Sequence, residues 1–521
     1  MTSSSQISLR SWMVLIAIGI LLFLTNIDYT AVNLTLVPIA EEIDADLSTL
    51  QWLLSAYVLV WAALVIPAGR LADLYGKRTC LVTGLLIFMG GSVMTGVGQS
   101  MEMLIFGRVL QGVGAAVFTA PAWASIFTLT PPEQQGFVMG VIITFCGLGL
   151  ATGPTIAGFI IQEMSWRWIF YVNIPLGLIV IAILMMYAPK DELPAEKQKI
   201  DFVGTFLLVS GLCIAVYGLN QIELLGVASS ELWAVIGLGL ILIGAFIIWN
   251  KRSIVPMVPS HLFRNRPYMA ATIGEFFMAM NFSMILVLMA LYLQNTLHYS
   301  TYETGLIFIA MTLTMGLLSP VGGKLIDLLG IKIPMIFGGF VTAIAMGLMV
   351  GLGAESTLPY VLFCLLLAGM GLGTYFTACN TAMLWSAPQK DLNVASGVYM
   401  MFMMMGNTLS VILATSLLVL FGRNSLLESS HQHGLELSAQ QHHTLVEAIS
   451  KVEHSAFQLK DFSSDQVPQL LSWIDSAFVY GLSVDMMFGT VFALIAVGLT
   501  YWGIGGLKAP VQLPHHVVIG V

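Results

Sequence analysis

Asp28, Arg108 and Glu275 each stand inside an otherwise apolar run of the chain. A carboxyl can take up and give back a proton, whereas a guanidinium stays charged and pairs with an anion. Burial favours the neutral acid and a neighbouring arginine favours the carboxylate. An Asp28 close to Arg108 is therefore poised between the two forms, and a change in its solvation can switch it. The same Asp28 also fits a buried structural partner. An unpaired arginine in hydrocarbon costs at least about 2.5–3.5 kcal/mol, so Arg108 either faces a wet cavity or a partner, or snorkels to the surface. Glu275 reads either as a second acidic site for protons or cationic groups, or as a local hydrogen bond that fixes helix packing.

Side chains of this kind need elements that hold them inside a bilayer, and the composition supplies them. Of the 521 residues 57% are apolar and only 9% charged, with a mean hydropathy of +0.89, too little polar surface to coat a soluble globule of this length. A hydrocarbon core of about 30 Å needs roughly 20 apolar residues per helix. Fourteen such runs occur, at about 12–37, 51–71, 79–98, 102–126, 136–162, 167–188, 202–219, 232–250, 268–293, 302–322, 333–354, 357–384, 394–421 and 480–506. They are continuous rather than alternating, which favours helices over a barrel. The first is too long for a cleavable signal and holds Asp28, so it is expected to remain as a span. With the N-terminus inside, fifteen of the twenty Lys and Arg residues fall in inner segments. That asymmetry predicts an even number of spans with both termini in the cytoplasm.

Two charged turns repeat. GRLADLYGKRTCL begins at Gly69, and GKLIDLLG begins at Gly323, 254 positions later. GVGAAVFTA at Gly112 and GMGLGTYFTA at Gly369 echo each other at nearly the same offset. Spans 1–6 and 9–14 are therefore expected to be duplicated six-helix bundles, with spans 7 and 8 inserted, and a substrate site between the bundles near mid-membrane. The expected domains are 1–188, then 189–266 for the linker and inserted pair, then 267–521. The last includes an extracytoplasmic stretch at about 422–479, read as a helical hairpin.

The first turn, with Gly69, Asp73, Gly76, Lys77 and Arg78, is similar to the loop signature of the major facilitator superfamily, departing from it at Leu74; Gly323, Asp327 and Gly330 are its counterparts in the second half. Its glycines permit a tight turn, and Asp73 is available to a helix end or a basic side chain. LIFGRVLQGVGAA resembles that superfamily's arginine-bearing signature, while the equivalent of Arg108 in span 12 is Leu365. GVIITFCGLGLATGPTIAG resembles the antiporter signature at Gly140, Gly149, Gly153 and Pro154, with Ala157 at the last glycine position. Small residues let helices touch and Pro154 is expected to bend the span; ordinary packing explains the glycines but not their spacing. NIDYTAVNLTLVPI and WRWIFYVNIPLG look like markers of the fourteen-span drug:proton antiporters of the EmrB/QacA type.

The resemblance implies an all-α integral membrane protein of the major facilitator fold, with the charged turn as a gate latch. It also implies proton-coupled export of amphipathic drugs or other toxic compounds from the cytoplasm across the inner membrane. The chain is expected to act as a monomer, and some members of the resembling family work with a periplasmic adaptor and an outer channel. Spans 1 and 4 line one cavity in the resembling fold, and Asp28 and Arg108 differ in depth by only about 5 Å at about 1.5 Å per residue, so they are expected to share one charged site. Export of a dedicated metabolite, lipid or siderophore on the same fold, a proton-driven importer, which the Gly140 to Pro154 pattern disfavours, and a non-transporting receptor or scaffold are the other readings.

No GxxxxGK[ST] sequence occurs, which argues against an ATP-driven pump. The five cysteines form no CxxC pair and read as small packing residues, so no metal and no cofactor is expected. His431, His433, His442, His443 and His454 crowd the outer loop, where a solvated loop outweighs metal ligation. MMFMMMG at Met400–Gly406 suits an adaptable ligand surface or, residue by residue, lipid-facing filler. Asp485 is expected to be wet, near the outer end of span 14.

Overall fold

The computed structural model describes residues 7–43, 47–191, 201–221, 229–253, 256–432 and 467–505. Among them there is no strand, as expected where hydrocarbon offers the backbone no partner and each helix must satisfy itself. The first bundle contains α1 (Leu9–Ile43), α2 (Leu47–Tyr75), α3 (Lys77–Val97), α4 (Met101–Leu129), α5 (Gln135–Glu163), and the short α6 (Arg167–Tyr171) leading into α7 (Asn173–Tyr187). Two helices follow, α8 (Phe202–Asn220) and α9 (Ser230–Arg252), then a single turn, α10 (Ser260–Arg264). The second bundle contains α11 (Arg266–Leu291), α12 (Thr301–Leu329), α13 (Lys332–Met349), α14 (Leu358–Ser386), α15 (Leu392–Gln432) and α16 (Val467–Gly503). Fourteen helical segments of the described residues are long and apolar enough to cross a membrane.

Local chemistry sets many of the starts. Ser100, Asp201, Ser229 and Asn265 each accept a backbone N–H of the following first turn, and Ser300 with Glu303 forms a capping box. α8 and α9 pack on each other and reach the first bundle through α2, where Trp52 stacks on Tyr217 at 5.7 Å. Their outward faces carry exposed Phe206, Trp233 and Ile241, as suits lipid-facing helices.

The bundles meet along α5 with α12 and along α2 with α15. α5 and α12 come close at Gly136 with Gly323, Gly140 with Ser319 and Pro320, and Thr144, whose Oγ1 donates to the Gly316 carbonyl at 2.6 Å. Farther along, α5 turns its small residues to its own bundle: Gly149 faces Phe23 and Asn26 of α1, and Gly153 faces Thr30. On the other seam Gly69 lies against the Asn393 carbonyl and Gly397 against Val65. The close approaches gather at the end that carries the two charged turns, hereafter the basic face.

Three expectations change. Gly69 is no turn residue: it lies inside α2, and its missing side chain admits the α15 backbone. The turn itself falls at Gly76, with φ 91°, and its counterpart at Gly330, with φ 80°, where a side chain would be strained. Met400 and Met404 face protein rather than lipid, at 2% and 3% exposure. The polar stretch after span 13 is narrowed from both sides, because α15 runs on to Gln432 and α16 starts at Val467. The proposed hairpin, the histidines from His433 to His454 and the side chains of Pro154 and His431 lie outside the described set.

Candidate functional site

Five helices of the first bundle converge on Asp28. The glycines that flank Arg108 set the distances. Gly107 meets α3, where a Cβ on Gly91 would in turn strike the Gly107 carbonyl, and Gly112 admits the Tyr57 carbonyl of α2. Helices this close bring short polar side chains within reach of one another. Arg108 Nη1 donates to Asp28 Oδ2 at 2.5 Å and to Gln111 Oε1 at 2.8 Å, while its Nε donates to the Leu53 carbonyl at 2.9 Å. Its guanidinium carbon sits 4.3 Å from the centre of the Tyr57 ring. The other carboxylate oxygen, Oδ1, accepts from Gln111 Nε2 at 3.0 Å and from Asn173 Nδ2 at 3.2 Å. Both amides also donate to Ser92 Oγ, at 2.8 and 3.1 Å.

Asp28 and Arg108 are 0% and 1% exposed. Desolvating two charges costs several kcal/mol per ion, which is recovered only where geometry is good and the remaining donors and acceptors are met. Here the carboxylate accepts three hydrogen bonds and the guanidinium makes three. The pair is thus a satisfied, dry ion pair rather than two groups facing an open vestibule. Arg108 does not snorkel. Gln111, Ser92, Asn173 and Tyr57 had not been identified as partners. Gln111 was nevertheless legible at i+3 from Arg108, on the same helix face, and Asn173 sits within the quoted WRWIFYVNIPLG stretch.

Glu275 is not part of this cluster. It is 1% exposed on α11 in the second bundle, beside Tyr399 and Cys379, and its Oε2 lacks a hydrogen-bond partner. Asp485, expected to be wet, is 0% exposed at the middle of α16. It is buried because α11, α13 and α15 pack around this part of α16, which a count along the apolar run does not show.

The latch residues divide between the two seams. Asp327 accepts the Gly136 and Phe137 backbone N–H groups at 2.8 and 2.9 Å, capping the first turn of α5 from the opposite bundle. Asp73, its counterpart, accepts from Asn393 Nδ2 at 2.6 Å and lies 3.7 Å from Arg70. Trp385 Nε1 adds a bond across the bundles to Gln135 Oε1 at 2.6 Å. Lys77 and Arg78 stay within their own bundle. Lys77 reaches the Ala124 carbonyl at 3.4 Å, and Arg78 reaches that of Met185 at 2.8 Å, while Asp191 caps α3 at the Arg78 and Thr79 N–H groups, both at 2.9 Å.

Beyond the span ends, Glu42 accepts from Trp166 Nε1 at 2.6 Å and from Arg167 Nη1 at 2.7–2.8 Å. Arg167 also bonds the Gly98 carbonyl at 2.9 Å, tying α1, α6 and the α3–α4 loop. The indole N–H, with the guanidinium, holds the Glu42 carboxyl below the usual carboxylate range. Among the described residues no cluster of His, Cys, Asp and Glu could hold a metal ion.

The family model described as Major Facilitator Superfamily matches residues 18–267 and 271–427. The Multidrug transporter protein MdtP of Bacillus subtilis is 27% identical over 495 residues, covering 94% of this chain and 90% of that protein. The Tetracenomycin C resistance and export protein of Streptomyces glaucescens is 26% identical over 408 residues, 78% of this chain and 76% of that one. The Riboflavin transporter RibZ of Clostridioides difficile is 28% identical over 386 residues, 73% and 82%. Two solved structures share the fold. The human organic anion transporter MFSD10 has a TM-score of 0.60 at 13% identity, over 94% of this chain and 99% of that one. The proton:xylose symporter XylE has a TM-score of 0.64 at 11% identity, over 97% and 98%.

Proposed function

Because this chain belongs to the major facilitator superfamily, a family of transporters and not of enzymes, we propose that it is a proton-coupled exporter of amphipathic organic compounds, working by alternating access. The observation that carries the proposal is the buried Asp28–Arg108 pair, pinned to α1, α2, α3, α4 and α7 through Leu53, Ser92, Gln111 and Asn173. Relatives named for multidrug transport and antibiotic resistance support an exporter of drugs. The second reading, export of one dedicated metabolite, draws its support from the relative named as a riboflavin transporter.

In this reading the basic face is the cytoplasmic face of the inner membrane, holds both termini, and is shut in this conformation by the α5–α12 and α2–α15 seams. A proton arriving from outside converts Asp28 to the neutral acid and removes the charge that holds Arg108. The helices tied to the pair are then free to repack, and the bundles rock apart at the basic face. Substrate enters from the cytoplasm as the proton leaves inward, and the re-formed pair favours return. The substrate need not touch Asp28; it competes with the proton through the conformation that each stabilises. The division into bundles at 1–188 and 267–521 around an inserted 189–266, action as a monomer, and the latch role of Asp73 and Asp327 belong to the same proposal.

The test is Asp28→Asn, which keeps size and removes titration. Cells carrying it are expected to lose resistance across a panel of dyes, detergents and antibiotics to which the wild type confers resistance, with folded protein still in the membrane. Undiminished efflux rejects the role of Asp28; wild-type resistance to none of the panel favours the dedicated-product reading.

A further inference from the structure

The second bundle holds a buried carboxyl that the mechanism above does not use. Asp485 lies at the middle of the 37-residue α16, fully buried, and neither carboxyl oxygen has a hydrogen-bond partner among the described residues. A charged carboxylate in such a place, without a counter-ion or a donor, is costly. The helices packed on α16 are α11, α13 and α15, with the π-helical turn Tyr292–Thr296 that follows α11. Their titratable groups include Arg266, Tyr268 and Glu275 on α11, Tyr292 on the turn after it, Lys332 on α13, and Tyr399 and Arg423 on α15, yet none of the ion pairs among the described residues reaches Asp485.

Asp485 also has company. α16 runs antiparallel to α11, with Gly503 beside Ala270 and Gly489 beside Asn281 and Met284. Asp485 is therefore one turn beyond Asn281 toward the outer end. Asn281 donates to the Phe277 carbonyl at 3.2 Å, but its Oδ1 is buried without a partner, as is Oε2 of Glu275. Six residues of helix separate Glu275 from Asn281, roughly 9 Å along the axis. Unpartnered acceptors thus lie on both sides of the α11–α16 contact, Asn281 Oδ1 on one helix and the Asp485 carboxyl on the other, while Glu275 faces α14 and α15 instead. Buried polar groups are normally satisfied, and a purely structural aspartate here would cost stability while bonding nothing. The first bundle differs: its buried carboxyl faces an arginine and accepts three hydrogen bonds.

We infer that Asp485 is a second proton-binding carboxyl of the transport cycle, loaded in the conformation shut at the basic face and separate from the Asp28–Arg108 pair. This rests on the proton-coupled export reading. The step is a proton transfer alone. A proton leaves water on the outer side and neutralises the Asp485 carboxylate; when the bundles repack it returns to water on the other side and the carboxylate is left hydrated.

Two neutral replacements, Asp485→Asn and Asp485→Leu, test it in two ways. In lipid nanodiscs at neutral pH the infrared band of protonated carboxyl groups is expected to weaken in both variants by the share of one carboxyl; an unchanged band overturns the proposal. Both are expected to unfold at or above the wild-type temperature, since a neutral unbonded group is lost; a fall of several degrees in both makes the carboxyl structural and also overturns it. In vesicles, protons moved per ethidium or tetraphenylphosphonium cation are expected to drop by one in either variant. An unchanged ratio overturns the inference while leaving export intact. A wild type that exchanges protons for neither cation defeats the proton-coupled drug-export reading on which this inference rests and, with it, this role of Asp485.

Discussion

Removing one member of the Asp28–Arg108 pair is expected to harm the protein more than removing both. In Arg108→Met the carboxylate keeps its bonds from Gln111 and Asn173 but loses the only charge opposite it. Breaking a buried pair in this way costs about 3–5 kcal/mol. In Asp28→Asn the guanidinium keeps the Leu53 carbonyl, Gln111 Oε1 and the Tyr57 face, the last worth about 2 kcal/mol when desolvated, so the loss falls at the lower end, about 3 kcal/mol. With both changes no charge is stranded, the amide oxygen introduced by Asp28→Asn still accepts from Gln111 and Asn173, and the cost falls to roughly 1–2 kcal/mol. The double-mutant cycle then carries a coupling of at least about 4 kcal/mol, far above the additivity error of about 0.5 kcal/mol. The assay is thermal unfolding of the three variants and the wild type in one detergent, ranked rather than converted to equilibrium energies because such unfolding is irreversible. The double variant should outlast both singles while exporting nothing. A double variant less stable than either single would mean that the two side chains act independently, and the site as described here would be wrong.

The seams offer a second perturbation. Asp327→Ala removes two charge-assisted hydrogen bonds to the start of α5, worth about 1.5–3 kcal/mol each, and so should shift the balance toward an open basic face by at least about tenfold; spin-label distances between α5 and α12 should lengthen, and an unchanged distribution would count against the latch. At the other end, the Glu42 clamp gives a pH dependence with a defined sign. Its carboxyl is held below its ordinary value, so its contribution is present above that value and is lost as pH falls through the lower folded one. Glu42 is about half exposed, which limits the effect to about 1 kcal/mol or less. The unfolding temperatures of wild type and Glu42→Gln should differ slightly at neutral pH and converge on acidification.

The sequence alone determined that this is a membrane protein with fourteen spans, because hydrocarbon thickness turns a local property, the length of an apolar run, into an element. It also showed which residues are anomalous: an ionisable group in an apolar run stands out whatever surrounds it, so Asp28, Arg108 and Glu275 were legible at once. The matched depth of Asp28 and Arg108 followed from helix rise and nothing more. Partnership is another matter, because hydrogen bonds join helices far apart in the chain. Gln111 and Ser92 became site residues where Gly91 and Gly107 let α3 and α4 touch, and Asn173 where Gly177 brings α7 onto Met89 and Leu85 of α3. For the same reason Asp73 and Asp327, alike in sequence, took different partners: one met an asparagine side chain, the other two backbone N–H groups. Asp485 marks the limit most plainly. Its place along the span was legible, but only the packing of α11, α13 and α15 on α16 decided that the carboxyl is buried and not wet.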